Sequence, residues 1–252
     1  MMVFLKITGG LLGLLMETLY WCKASFSNSD KVFAQLYIIG NQTLPVGALI
    51  ALFSGGVLAL QAGPTLAQFG LEENVGGLVG LSLVKEIGPI MASILIAGRV
   101  GSAMTAELAS MSVYEEIDAL KTMDINPVRY LVMPRFIAMV MALPILVIYM
   151  DVIGWFGGGI VSVINPEVHL SFDIYYRNLS ELVDFTAVMN GLIKAMFFGI
   201  IISIVCCYVG LKTKGGPREI GSSVTKAVVM SFVLVLVSDY YITRILLFLN
   251  LD

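Results

Sequence analysis

Long apolar stretches alternate with short polar segments along the chain. They cover residues 44–62, 75–104, 136–164, 185–211 and 224–250. A helix needs roughly 20 apolar residues, at about 1.5 Å per residue, to cross the hydrocarbon core of a bilayer. The pattern therefore predicts an all-α integral membrane protein with five transmembrane helices.

Residues 1–43 follow a more mixed pattern. The opening MMVFLKITGGLLGLLMETLYW has a short apolar core but neither a basic start nor an A-x-A-like cleavage site. These features favour an interfacial (elbow) helix over a cleaved signal peptide. Asp30 to Asn41 looks like a second interfacial piece. The elbow helix or helices and the spans fill the chain, so we predict a single domain, residues 1–252.

Composition supports this assignment and excludes several functions. The chain has 252 residues, of which 58% are hydrophobic and 13% charged, and its mean hydropathy is +0.91. Little length is left for a soluble catalytic domain, and a net charge of −3 disfavours nucleic-acid binding. The three cysteines lack metal or disulfide spacing, and His169 is the single histidine. We expect no metal site.

The positions of the basic residues indicate the orientation of the five spans in the membrane. With the N-terminus inside, the outer segments hold Lys85 and Arg177. The inner segments, with the span ends that adjoin them, hold eleven: Lys6, Lys23, Lys31, Arg99, Lys121, Arg129, Arg135, Lys212, Lys214, Arg218 and Lys226. This asymmetry predicts a cytoplasmic N-terminus and a C-terminus on the opposite side.

A charged segment, SMSVYEEIDALKTMDINPVRY, separates the second and third spans, on the predicted cytoplasmic side. Ser112 and Glu115 match the S-x-x-E capping box, in which both side chains satisfy free N–H groups at a helix start. Pro127 disfavours helical geometry at the residue before it. The pattern predicts a short helix over residues 112–125.

The two faces of this predicted helix differ in chemistry. One is an apolar stripe with i, i+4, i+7 spacing, formed by Val113, Ile117 and Leu120. Three acids lie away from the stripe or at its edge: Glu115, Glu116 and Asp118. A helix on an anionic leaflet would favour basic residues, so we expect a protein partner here. A solvated connector lying on the membrane is the alternative.

The run from Glu86 to Phe136 closely resembles the MlaE/YrbE family of permease subunits. It contains E-x-G-P, A-G-R-x-G-S-A-x-T-A-E, E-x-I-D-A-L and D-x-N-P-x-R-Y-L-V-x-P-R in that order. Agreement outside this run is looser but extends over nearly the whole chain. The members of this family belong to ABC transporters that move lipids with MCE-domain partners.

The resemblance implies a permease subunit that is not itself an enzyme. It implies a homodimer in a bacterial inner membrane, two copies of an ABC ATPase, a periplasmic MCE-domain protein and a small accessory protein on the ATPase. The cargo would be phospholipids or related lipids. This chain would carry no cofactor, because the partner ATPase binds ATP and Mg. The cytoplasmic helix would be the coupling helix, contacting the ATPase through Glu115, Glu116, Ile117, Asp118 and Leu120.

Particular residues are candidates for the remaining parts of such a transporter. An apolar lipid path is expected from Leu58, Leu60 and Gln61, with the charged residues Lys85 and Glu86 at the entry to the second span. Arg99 lies near the inner mouth and approaches Glu107 only through a turn. Lys194 and Asp239 are embedded charges of opposite sign that could pair. Small residues that could form a dimer seam are Gly55, Gly56, Gly98, Gly101, Gly154 and Gly158.

Two other functions stay open at this level. Asp151 and Asp239 lie in separate spans and could share a proton, as in an intramembrane aspartyl protease, although the G-x-G-D motif is absent. An ion-coupled carrier is the other alternative, although such carriers often show matching halves with broken helices. A requirement for ATP and a second polypeptide would distinguish the permease from both.

Overall fold

The computed structural model describes residues 2–22, 29–166, 168 and 170–249, and every regular element in these ranges is helical. Lys23 and His169 lie outside them. The α-helices, α1 to α10, are Met2–Cys22, Ser29–Gln68, Val75–Ser82, Gly88–Ile96, Ser102–Val113, Glu116–Thr122, Met133–Ile164, Phe172–Leu182, Phe185–Leu211 and Pro217–Phe248. Three π-helical segments, Leu83–Ile87, Ala97–Gly101 and Val128–Val132, join or precede α-helices, and Glu72–Asn74 is a 3-10 turn.

Within the described residues, five helical stretches are long and apolar enough to cross a membrane. They are Thr43–Gln68, Glu72–Val113, Val128–Ile164, Phe185–Leu211 and Pro217–Phe248. The prediction of an all-α membrane protein with five spans is confirmed.

The first two spans differ from the predicted boundaries. Helix α2 runs from Ser29 to Gln68 with Pro45 and Pro64 inside it, so residues 30–41 are the first part of a long helix rather than a separate element. A proline removes one backbone hydrogen bond and bends a helix without always ending it. The second span reaches from Glu72 to Val113, because the π-helical segments keep the chain helical through Lys85, Glu86 and Arg99.

The chain divides into two compact units. Unit 1 combines the described residues of Met1–Asn41 with Ser93–Leu143 and Met196–Ser238. In this unit α5 packs against the end of α9, where the Thr105 hydroxyl donates to the backbone carbonyls of Gly101 (2.8 Å) and Cys206 (3.3 Å). A Cβ on Gly210 would come within 2.7 Å of Leu108 Cβ, so the two helices need glycine at this position.

Unit 2 combines Gln42–Ala92 and Pro144–Ala195 with the described residues of Asp239–Asp252. Its core includes Val75, Val79 and Leu83, with Tyr175 and Leu179 of α8 packed on them. Ser171 caps α8 by accepting from the backbone N–H of Ile174 at 3.4 Å. The polar segment between α7 and α9 is therefore organised around an amphipathic helix whose apolar side contributes to this core.

Asn178 joins α8 to the start of α3. Its Oδ1 accepts from the backbone N–H of Gly77 at 2.7 Å, and its Nδ2 donates to Asn74 Oδ1 at 3.2 Å. Burial raises the pKa of Tyr175 and Tyr176, whose hydroxyls have no hydrogen-bond partner among the described residues. Both phenols therefore stay neutral at physiological pH.

Most glycines predicted to form a dimer seam instead pack helices within the chain. A Cβ on Gly55 would overlap the carbonyl oxygen of Gly154, and one on Gly158 would overlap the hydroxyl of Tyr175. In unit 1, a Cβ on Gly101 would come within 2.8 Å of Cys206 Sγ. Small residues permit close helix approach in either setting, so sequence alone could not distinguish intrachain packing from a dimer contact.

Replacing Gly55 by alanine should therefore destabilise the protein. The added methyl group would force α2 and α7 apart, at a cost of about 1–3 kcal/mol. The matched control is Gly40→Ala on the same helix, because a Cβ on Gly40 meets nothing within 4 Å and alanine favours helix by about 1 kcal/mol. Thermal unfolding of the purified variants should show a lower midpoint for Gly55→Ala only. Equal midpoints would contradict the close packing of Gly55 on Gly154.

Candidate functional site

The acidic segment of unit 1 folds as a short helix between two tight turns. Helix α6 spans Glu116–Thr122. Glu115 before it and Asp124 after it both have φ of 60°. This left-handed backbone conformation is uncommon for residues other than glycine, asparagine and aspartate. The helix has about two turns rather than the length predicted over residues 112–125.

The capping box predicted at Ser112 is wrong. Ser112 lies inside α5, and its hydroxyl donates to the backbone carbonyls of Thr213 at 2.8 Å and Leu211 at 3.3 Å. The hydroxyl therefore ties the end of α5 to the end of α9, and Glu115 takes the N-cap position of α6 without a side-chain bond. The Ser112 hydroxyl therefore bonds to distant carbonyl oxygens rather than to the nearby backbone N–H group of the capping box.

The predicted role of Pro127 as a helix stop is also wrong. Helix α6 ends at Thr122, and Pro127 immediately precedes the next helical segment, where the missing N–H of proline costs little. Asn126 caps this segment, because its Oδ1 accepts from the backbone N–H groups of Val128 (2.8 Å) and Arg129 (3.1 Å). Asn126 Nδ2 also donates to Glu17 Oε1 of α1 at 3.1 Å.

The predicted acidic face of α6 is exposed, and its apolar stripe is turned inward. Glu115, Glu116 and Asp118 are exposed, whereas Ile117 is buried and Leu120 is half-buried. Ile117 therefore anchors the helix in its own chain. Lys121 donates to Asp118 Oδ1 at 2.7 Å, and this bond and charge lower the pKa of Asp118.

Two exposed apolar side chains at the ends of this segment were missed by the sequence analysis. Tyr114 is 61% exposed and Met123 is 69% exposed. They flank the acidic residues, so the surface combines carboxylates with large apolar groups. Aromatic residues and methionine are enriched where proteins bind one another. Both residues lie beside turns rather than on the helical stripe, so periodicity gave no signal for them.

A second candidate site is a cluster of charged residues within the spans of unit 2. Lys194 of α9 is only 2% exposed, and its Nζ lies 2.6 Å from Glu86 Oε1 and 3.3 Å from Asp239 Oδ1. The pairing of Lys194 with Asp239 that the sequence suggested is confirmed. Glu86, predicted to belong to the lipid path, is a third member of the cluster and the closer of the two carboxylates.

A backbone carbonyl oxygen and a hydroxyl group also contact this charge cluster. Lys194 Nζ also donates to the carbonyl oxygen of Lys85 at 2.8 Å, and the hydroxyl of Thr243 donates to Glu86 Oε1 at 3.3 Å. Lys85 and Glu86 belong to the π-helical segment Leu83–Ile87, and such segments are common at functional sites.

The remaining predicted charge, Arg99, lies in another π-helical segment, Ala97–Gly101, and is exposed. Its carbonyl oxygen accepts from the Ser102 hydroxyl at 2.8 Å. Glu107, which the sequence placed near Arg99 through a turn, pairs with Arg135 at 2.6 Å. Arg135 is buried and also donates to the carbonyl of Leu131 at 2.7 Å. The sequence alone indicates only that Arg135 is a basic residue of the inner side.

An apolar cavity of about 370 Å³ lies between α2 and α7 in unit 2. It is lined by Leu52, Phe53, Gly56, Val57, Leu60, Gly157, Ile160 and Val161. Of the residues predicted for the lipid path, Leu60 lines this cavity. Leu58 packs against the core of unit 2, and Gln61 is exposed beside the cavity without lining it. Successive residues of a helix point about 100° apart, which explains the different surroundings of the three.

The carboxyl groups considered for an aspartyl protease have separate surroundings. Asp239 contacts Lys194. Asp151 is buried, and its Oδ1 lies beside Gly88 without a hydrogen-bond partner among the described residues. Proton sharing requires the two carboxylates to face each other, and the contacts of the described residues do not join them.

Comparison with known proteins gives a consistent assignment. The sequence profile of the family described as Permease MlaE matches residues 32–245. A probable ABC transporter permease protein of Rickettsia typhi is 42% identical over 219 residues, covering 85% of this chain and 82% of the relative.

Two further relatives carry more specific names. The intermembrane phospholipid transport system permease protein MlaE of Haemophilus influenzae is 35% identical, with 84% of this chain and 81% of the relative covered. The chloroplastic protein TRIGALACTOSYLDIACYLGLYCEROL 1 of Arabidopsis thaliana is 34% identical, with 83% of this chain and 59% of the relative covered. With its five apolar helices and its match over most of the sequence, the chain belongs to the MlaE permease family and is a multi-pass inner-membrane permease of an ABC transporter.

Proposed function

We propose that this permease moves phospholipids or related lipids between the inner membrane and an MCE-domain partner, driven by a separate ATPase. The observation that carries the proposal is the apolar cavity of unit 2, whose lining is almost free of polar atoms. Acyl chains need shape and apolar contact rather than hydrogen bonds. The phospholipid named for the Haemophilus influenzae relative agrees with this lining.

The lipid path in this proposal passes along the cavity at Leu60 and beside Gln61. Gly56 and Gly157 line it without side chains of their own, which leaves room for a hydrocarbon chain. The charge cluster of Glu86, Lys194 and Asp239 belongs to the same unit and would face the polar part of the lipid. A charge within a membrane span is a functional candidate because its desolvation is costly.

Coupling to ATP hydrolysis is assigned to α6 and the residues beside it. The acidic face of Glu115, Glu116 and Asp118, flanked by Tyr114 and Met123, would bind the ATPase. Ile117 and the bonds of Ser112 hold the segment against unit 1. Because α6 is fixed to the other helices of unit 1, a movement of the bound ATPase would displace the membrane spans together with α6.

The assembly would contain two copies of the permease, two copies of the ATPase, a periplasmic MCE-domain protein and a small accessory protein on the ATPase. ATP and Mg would bind to the ATPase rather than to this chain. The N-terminus would lie in the cytoplasm and the C-terminus in the periplasm, as the positions of basic residues predict.

An ion-coupled carrier remains a second candidate because of one observation. The buried Lys194 contacts two carboxylates, and ionisable groups within membrane spans also form proton relays in carriers. Reconstitution into vesicles distinguishes the two functions. A permease moves lipid only with its ATPase and ATP, whereas a carrier moves its substrate with an ion gradient alone.

Reversing the charge of α6 should separate the permease from its ATPase. The variant Glu115→Lys, Glu116→Lys and Asp118→Lys should retain at least tenfold less ATPase on co-purification, because charge complementarity at an interface becomes repulsion. The matched control reverses three exposed acids elsewhere: Glu73, Asp173 and Glu181. Normal ATPase yield with the α6 variant would contradict the coupling assignment.

Photo-crosslinking can test the lipid path. A photoreactive residue at Leu60 or Gln61 should capture lipid in an amount that changes when the complex hydrolyses ATP. Met196 and Phe197 of the fourth span are exposed controls and should capture bulk lipid independently of ATP, while Leu58 should capture little. The path is wrong if the control positions capture lipid and Leu60 and Gln61 do not.

Removing the ammonium group of Lys194 should destabilise unit 2. Lys194→Met leaves Glu86 and Asp239 without their cation. Breaking a fully buried pair costs about 3–5 kcal/mol, and we expect a smaller loss here because the Glu86 side chain is 41% exposed. Thermal unfolding should detect this loss, and the neutral triple variant Glu86→Gln, Lys194→Met and Asp239→Asn should recover most of it.

Lipid transport by this triple variant then separates structure from function. A stable triple variant that no longer moves lipid supports a role for the charges in transport. Wild-type transport by the triple variant would assign the cluster to stability alone.

A further inference from the structure

Unit 1 contains a second cavity that neither the proposed coupling surface nor the lipid path uses. It has a volume of about 330 Å³ and lies between α1, the end of α9 and the start of α10. Its polar lining consists of three lysines and three hydroxyl groups: Lys6, Lys212, Lys226, Tyr208, Thr213 and Ser223.

Among the described residues that line this cavity, three carry positive charge and none is a carboxylate. None of the ion pairs among the described residues includes Lys6, Lys212 or Lys226. All three lysine side chains are exposed, and together they give the cavity a positive potential. An anion with several oxygen atoms would accept hydrogen bonds from the ammonium groups.

Buried neighbours hold much of the polar lining in place. Lys212 Nζ donates to the Tyr208 hydroxyl at 2.7 Å and lies 4.3 Å from the centre of its ring. Tyr208 in turn requires Gly10, because a Cβ there would overlap the tyrosine hydroxyl. The Thr213 hydroxyl bonds to Ser223 Oγ at 2.8 Å and donates to the carbonyl of Val209 at 2.9 Å. The part of the lining at the end of α9 is thus positioned before a ligand arrives, whereas Lys6 and Lys226 are exposed.

The other part of the lining is apolar and consists of Ile7, Val209 and Met230. The cavity also lies at a helix end, because α9 ends at Leu211, one residue before Lys212. This is the depth at which a span meets the headgroup region of a bilayer. A ligand that satisfies both parts of the lining is an amphiphile with an anionic head.

We propose that this cavity binds the phosphate headgroup of an anionic phospholipid, with the ammonium groups of Lys6, Lys212 and Lys226 around the phosphate. The glycerol and the first carbons of the acyl chains would contact Ile7, Val209 and Met230. Basic pockets beside membrane helices are known to bind lipid headgroups. The site does not depend on which lipid is transported, since it shares no residue with the proposed path.

Native mass spectrometry of the full-length chain in detergent tests this proposal. Phosphatidylglycerol and phosphatidylcholine with identical acyl chains are titrated separately, with and without inorganic phosphate as a competitor. We expect tighter binding of phosphatidylglycerol, and at least tenfold weaker binding in the variant Lys6→Gln, Lys212→Gln and Lys226→Gln. Replacing the same three residues by arginine should retain the preference.

The matched control removes three exposed charges from the same unit outside the cavity, in the variant Lys121→Gln, Lys214→Gln and Arg218→Gln. It should bind phosphatidylglycerol within twofold of wild type. Equal losses in the two variants would mean non-specific attraction and overturn the site. Displacement by inorganic phosphate, without a preference between the two lipids, would assign the cavity to a soluble anion and overturn the lipid assignment.

Two further outcomes are decisive. A photoreactive residue at Met230 should capture lipid in the wild type and lose that lipid in the glutamine variant. If the glutamine variant instead keeps its lipid preference but loses its ATPase on co-purification, the lysines form a protein contact and the proposal is wrong. Thermal unfolding of each variant shows whether a loss of binding reflects a loss of folding.

Discussion

The desolvation of Lys194 is the constraint on which the arrangement of unit 2 depends. An ammonium group within membrane spans costs several kcal/mol unless opposite charges and hydrogen-bond acceptors surround it. Glu86, Asp239 and the carbonyl oxygen of Lys85 supply them from two other helices. These contacts fix the relative rotation of three helices, because each must turn its polar group towards the same atom.

Glycines allow the helices to approach closely enough for such contacts. Gly55 and Gly154 bring the backbones of α2 and α7 together, and Gly191 brings α9 against the carbonyl of Val84, next to the charge cluster. Lipid tails are as apolar as leucine side chains, so burial provides little force between helices in a membrane. Tight packing and polar contacts must therefore provide it. The same glycines leave the apolar cavity beside Gly56 and Gly157 open.

The same physical rules explain the exposed surface of unit 1 around α6. Its buried contacts, such as Ser112 with the end of α9 and Arg135 with Glu107, hold the short helix α6 and its neighbours in position. The acids of α6 then remain exposed at no desolvation cost. The lysines beside Tyr208 are exposed and line a cavity at the end of α9. Charges near the ends of spans can thus serve recognition, whereas those within spans must first be paired.

The sequence by itself determined the fold class, the five spans and the identity of the charged positions, because hydropathy over 20 residues and embedded charges are properties of the local chain. It also identified the acids of α6 and suggested a pairing of Lys194 with Asp239, which the structure then showed. Only the tertiary structure decided the third partner Glu86, the contacts of Ser112, the place of Pro127 at a helix start, the intrachain role of the glycines and the different surroundings of Leu58 and Leu60. Each of these depends on contacts between residues far apart in the sequence. Helical periodicity and local motifs describe only neighbouring residues and carry no information about such contacts.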